Sequence, residues 1–135
     1  VTGLTVHVST PASELELGPL ISLRFLTVDG WRGIRPGHEP GRASLRRGPI
    51  RCAESETTIR WLATEGGLIL IDRSELRILT RWAETADTLA RLRELVEARD
   101  AERARLEDEA RALGHRHEVA TRRALMALER KVTRP

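Results

Sequence analysis

The run Leu4-Thr5-Val6-His7-Val8 alternates apolar and polar positions, and a strand of period two places Leu4, Val6 and Val8 on one face. Pro11 ends that run, and Glu14-Leu15-Glu16-Leu17 repeats the alternation up to Gly18-Pro19. Residues 20–28 form a longer run in which Ile21, Leu23 and Phe25 share one side, closed by Asp29-Gly30. Further runs cover residues 49–53, 57–64, 68–71 and 76–82, joined by Glu54-Ser55-Glu56, Gly66-Gly67 and Asp72-Arg73-Ser74-Glu75, all of turn chemistry. Ile59, Trp61 and Ala63 alternate with Thr58, Arg60 and Leu62, while Leu68-Ile69-Leu70-Ile71 is apolar on both sides, as a central strand would be. The pattern predicts an antiparallel β-sandwich or flattened barrel over residues 1–83.

From residue 84 the pattern changes to Ala, Arg, Glu and Leu, with no glycine or proline before Gly114. That composition predicts a long solvated helix, with Thr85 or Asp87 as its N-cap. Arg103 with Glu107, Arg105 with Glu109 and Glu107 with Arg111 have the four-residue spacing of ion pairs on adjacent turns. Gly114 reads as a left-handed stop, and a second helix follows over residues 118–132, with Thr121, Leu125, Leu128 and Val132 at helical spacing before Pro135. A short turn between the two predicts an antiparallel two-helix hairpin over residues 84–135 and an α+β protein overall. The seam of that hairpin is weak, because heptad positions between Val96 and Leu106 fall on Arg99 and Arg103.

A chain of 135 residues, 40% apolar and 32% charged, supports one compact domain and an appendage rather than two full cores. No segment reaches the ~20 consecutive apolar residues that span a bilayer, and no signal pattern stands at the start, so membrane association is expected through partners. Cys52, the single cysteine, lies in a strand-like run and reads as an inert, semi-buried thiol. The net charge of +3 does not by itself indicate nucleic acid, but its distribution is uneven. Residues 85–113 carry six arginines against eight acids, whereas residues 115–135 carry five arginines and one lysine against two acids. Arg122, Arg123, Arg130 and Lys131 are therefore candidates to dock on an acidic partner, against the plainer reading of a solvated basic helix.

Other polar residues suggest no catalysis. His115 and His117 flank Arg116 in the expected turn without a third metal ligand. No nucleophile and acid can be placed beside His38, and the glycine pairs lack the spacing that cradles phosphate.

Gly33-Ile34-Arg35-Pro36-Gly37-His38-Glu39-Pro40 resembles the G-I/V-x-P-G-H-x-P loop of ATP synthase epsilon subunits. Leu45-Arg46-Arg47-Gly48 and Gly66-Gly67 also fall where that family has a leucine-x-x-glycine and a paired-glycine turn. The resemblance covers nearly the whole chain. It implies a non-catalytic subunit of the rotor of an F-type ATP synthase, peripheral on the cytoplasmic face of the bacterial inner membrane and without a cofactor. Its implied partners are the gamma subunit, the c-ring and, through the C-terminal helix, the beta and alpha subunits, where the helices inhibit ATP hydrolysis.

On this chain the implied rotor-contact loop is Trp31, Arg32, Arg35 and His38, and the inhibitory helix carries Arg122, Arg123, Arg130 and Lys131. Many relatives have an acidic residue facing the ring where this chain has Trp31, so a ring surface of acidic or aromatic-binding character is expected. The divergent loop also suggests the alternate, sodium-associated branch of these synthases. Some relatives bind regulatory ATP through Ile/Leu-Asp-x-x-Arg-Ala at the start of the first helix. Here Ala86-Asp87-Thr88-Leu89-Ala90-Arg91 has its arginine one place late, and Asp108-Glu109-Ala110-Arg111-Ala112 has the spacing at the wrong end, so no ATP binding is expected. The competing class, a basic helical adaptor or nucleic-acid-binding module, is disfavoured by 3% aromatics, no tyrosine and an acidic first helix.

Overall fold

The computed structural model describes residues 3–133, so the outermost residues of both expected segments, including Pro135, lie outside the described residues. Ten strands precede one helix: β1 (Leu4–Ser9), β2 (Glu14–Leu20), β3 (Ser22–Thr27), β4 (Gly30–Ile34), β5 (His38–Leu45), β6 (Gly48–Ala53), β7 (Ile59–Thr64), β8 (Gly67–Arg73), β9 (Glu75–Leu79), β10 (Ala83–Ala86) and α1 (Leu89–Thr133). The strands form two five-stranded sheets, ordered β2-β1-β9-β8-β5 and β10-β7-β6-β3-β4. Their pairing is antiparallel except for β1 with β9, which run parallel in the register Val6↔Leu76 and Val8↔Ile78. The expected all-antiparallel sandwich is corrected at that pair.

Alternation builds the core. Val6, Val8, Ile69, Ile71, Leu76 and Ile78 of one sheet meet Leu23, Phe25, Ile34, Ile50, Cys52 and Leu62 of the other, all buried. Ile21 is an exception to the expected face: it lies between β2 and β3, 41% exposed, with its N–H donated to the Ala53 carbonyl at 2.8 Å. On β7 both faces are covered, since Leu62 enters the sandwich while Ala63 lies under the first turns of α1.

Two strands occupy the stretch that reads as loop. β4 and β5 are the outer strands of different sheets, and the Pro36-Gly37 corner carries the chain from one sheet to the other, with Gly37 at φ 81°. Outer strands tolerate glycine and proline because one side of their backbone has no ladder to complete.

The N-cap of α1 is Thr88, not Thr85 or Asp87. Thr85 lies in β10 opposite Leu62, while Thr88 Oγ1 accepts the N–H of Arg91. Leu92 is buried with Ala63 and Ala86, and Trp61, Trp82, Leu95 and Val96 pack around them. The chain divides into two compact units between Val96 and Glu97, so these first turns belong with the sheets. In the second unit the expected two-helix hairpin is absent, because α1 runs through Gly114 to Thr133. One glycine costs a helix only about 1 kcal/mol relative to alanine, and Ala110, Ala112 and Leu113 beside it are strong formers. Of the expected ion pairs, Arg105–Glu109 forms at 2.6 Å. Arg105 also bonds Glu102, and Arg111 pairs with Asp108. The Arg105 hydrogen bond holds the Glu102 carboxyl below its usual range, and the same bond raises the guanidinium.

Candidate functional site

Of the four loop residues singled out, Trp31 and Arg32 stand on β4 and therefore point to opposite faces. Ile34 is buried in the core, so Arg32 shares its inward side, while Trp31 is 52% exposed on the outer face. The β3–β4 hairpin that carries them is fixed by Thr27, whose Oγ1 donates to the Gly30 carbonyl at 2.9 Å and accepts the Asp29 N–H at 3.2 Å. At its tip Val28 is 73% exposed, and the tip borders an open groove that also takes in Trp31, Arg32 and Arg42. An exposed valine and tryptophan thus stand beside Arg32 and Arg42 at this end of the sheet.

Arg35 and His38 lie at the other end of β4 and are not brought to Trp31. Arg35 is exposed in the corner after β4. His38 opens β5 opposite Arg73, and its Nδ1 lies 2.7 Å from the Glu39 carbonyl. Ser74 fastens this corner by accepting the Gly37 N–H at 3.1 Å through its Oγ. The four residues thus mark two places rather than one.

The pairing register adds residues that the sequence reading passes over. Arg51 stands opposite both Arg24 and Trp61, and these three line a shallow groove with Trp31 on the outer face of the sheet. Each was legible only as the polar or outward position of an alternating strand; that the arginines meet depends on strand order.

On α1, an ideal rotation of about 100° per residue puts Leu125, Leu128 and Val132 in one stripe. Arg123 and Arg130 fall on the far side, with Arg122 and Lys131 at the two margins. The stripe is open, Leu128 being 64% and Val132 77% exposed. His115 and His117 lie within the helix rather than in a turn, two positions apart and so on nearly opposite sides. Among the described residues no three His, Cys, Asp or Glu side chains are placed to hold a metal ion. Cys52 is fully buried rather than semi-buried, and burial pushes its thiol up to about 12, away from nucleophilic use. Among the described residues no helix is long and apolar enough to cross a membrane.

The sandwich defines a known class. The family described as ATP synthase, Delta/Epsilon chain, beta-sandwich domain matches residues 3–86. The ATP synthase epsilon chain of Streptomyces avermitilis is 36% identical over 111 residues, covering 79% of this chain and 86% of that one. That of Symbiobacterium thermophilum is 34% identical over 127 residues, covering 93% and 90%. This chain belongs to the ATP synthase epsilon chain family. Its fold is also similar to a chain of the Euglena gracilis mitochondrial ATP synthase, with a TM-score of 0.59 at 18% identity, covering 77% of this chain and 66% of that one.

Proposed function

We propose that this chain is the non-catalytic epsilon subunit of the central stalk of an F-type ATP synthase, coupling ion flow to ATP synthesis and restraining ATP hydrolysis through its helix. It works peripherally at the cytoplasmic face of the bacterial inner membrane. The sandwich grips the rotor: Trp31 and Arg32 at the hairpin tip meet the c-ring, and Arg35 and His38 at the opposite end meet the gamma subunit. With arginines around Trp31, the matching ring surface is acidic or aromatic-binding, and the coupling ion is sodium or a proton.

The observation that carries the inhibitory part is the two-sided second half of α1. Exposed Leu125, Leu128 and Val132 lie away from Arg123 and Arg130, with Arg122 and Lys131 at the margins, and that basic side fits an acidic surface of the beta and alpha subunits. Gly114 is the hinge at which α1 converts to a two-helix hairpin, since helix there is held about 1 kcal/mol less firmly than at an alanine. Removing residues 114–135 from the assembled complex should raise ATP hydrolysis. The quadruple reversal R122E, R123E, R130E and K131E should raise it too, and unchanged rates in both would remove the regulatory role.

A further inference from the structure

The apolar stripe of α1 does not stop at Leu125, Leu128 and Val132. The same rotation of about 100° per residue brings Leu106 and Leu113 onto it, and each of these five side chains is at least half exposed. Between them the stripe holds small positions, Ala110, Gly114 and Ala124, together with His117 and Thr121. Thr121 turns its hydroxyl back on its own helix, donating to the His117 carbonyl at 2.9 Å. A continuous apolar seam on an exposed helix calls for a second helix, where scattered leucines would not.

We infer that two copies of this chain pair through residues 106–132 of α1, antiparallel, about a two-fold axis near Val119. In that register small side chains sit opposite one another or opposite large ones: Ala110 faces Leu128 and Gly114 faces Ala124 of the other copy. Leu106 faces Val132, Leu113 faces Leu125, and His117 faces Thr121 at the middle.

Charge selects the register. Arg111 and Glu129 lie on one margin of the stripe, Glu109 and Lys131 on the other. An antiparallel pair sets each margin against the same margin of the other copy, so Arg111 meets Glu129 and Glu109 meets Lys131, each twice by symmetry. Sliding the pair by one heptad brings Arg111 to Arg122 in one direction and Glu118 to Glu129 in the other. A parallel pair would set the two basic ends side by side. Pairing also occupies the seam that would close a hairpin at Gly114, so the two states compete.

The inference goes beyond the ATP synthase reading and does not rest on it, since the purified full chain tests it. In analytical ultracentrifugation the chain should sediment as a dimer that dissociates on dilution. L128E should weaken pairing by roughly tenfold or more, because it places a charge in the seam. Leu128 is exposed in the single chain, so this variant should keep its helix by circular dichroism. R111E and E129R each set like charges together and should pair weakly alone, but regain wild-type affinity when mixed. On a Cys52→Ala background, G114C should form a disulfide with A124C and not with itself; a Cβ at residue 114 meets nothing in its own chain. A monomer at every concentration, whether or not it binds phosphatidylglycerol vesicles, overturns the inference. Self-linkage of G114C, the mark of a parallel pair, or no gain on mixing R111E with E129R overturns it as well. None of these outcomes alters recovery of the chain with gamma and c subunits, which tests the ATP synthase reading separately.

Discussion

Thr88 Oγ1 accepts the backbone N–H of Arg91 at 3.1 Å, while the Thr88 carbonyl receives the N–H of Leu92 at 3.0 Å. That pair of bonds makes Thr88 the N-cap of α1 and sets the turn from which Leu92 drops onto Ala63 and Ala86. Thr88→Ala should destabilise the first unit by about 1 kcal/mol in chemical denaturation, and Asp87→Ala by less than about 0.5 kcal/mol. The reverse order would move the cap to Asp87.

Gly114 has open space where a Cβ would sit and lies inside α1. Gly114→Ala should therefore strengthen the helix locally by about 1 kcal/mol, seen as slower amide exchange around residues 110–118. Unchanged or faster exchange would show that Gly114 is a helix stop.

Gly67, the first residue of β8, has the tightest surroundings for a side chain. Its φ is 142°, and a Cβ there would lie 2.0 Å from the Leu79 carbonyl oxygen. Gly67→Ala should cost about 3 kcal/mol or more, because backbone and not a flexible side chain blocks the methyl. Gly41→Ala, with nothing within 4 Å of the new methyl, is the control and should cost less than about 1 kcal/mol.

Burial raises the Cys52 thiol to about 12, against roughly 8.5 in an unfolded chain. Between those values the unfolded state has lost the proton that the folded state keeps, so stability is full below the unfolded value and falls as pH rises. Wild type should lose about 1 to 2 kcal/mol more than Cys52→Ala between about pH 8.5 and 10, measured by urea unfolding. Parallel pH profiles would show that the thiol titrates normally. A thiol reagent should also modify Cys52 only as fast as the sandwich opens.

The inner strands were legible in the sequence because both of their edges are paired and one face enters the core, which enforces alternation. β1, β3, β6, β7 and β8 all follow from their runs. The strands that were shortened or passed over are the four sheet edges, β2, β5, β10 and β4. β5 contains Pro40 and Gly41 beside a register shift, and β2 continues through Gly18-Pro19. An edge asks less of its residues, so it leaves a weaker signature. The parallel β1–β9 pair joins strands far apart in the chain, which no local pattern encodes. The contact loop was found by its glycines and prolines. Its division into two ends, and the meeting of Arg24 with Arg51, followed only from register.

The helix shows the opposite failure. Local pattern favours a break at Gly114, but helical propensity on both sides outweighs one glycine when no partner packs against the turn. Placing Arg122, Arg123, Arg130 and Lys131 on a helix did not depend on that break.

The account stands or falls on what this chain is bound to. Affinity-tagged chain, recovered from gently solubilised membranes of its source cells, should bring gamma and c subunits of an ATP synthase with it in fixed proportion. Recovery of the chain alone, with every ATP synthase subunit left behind in the membrane fraction, would contradict it.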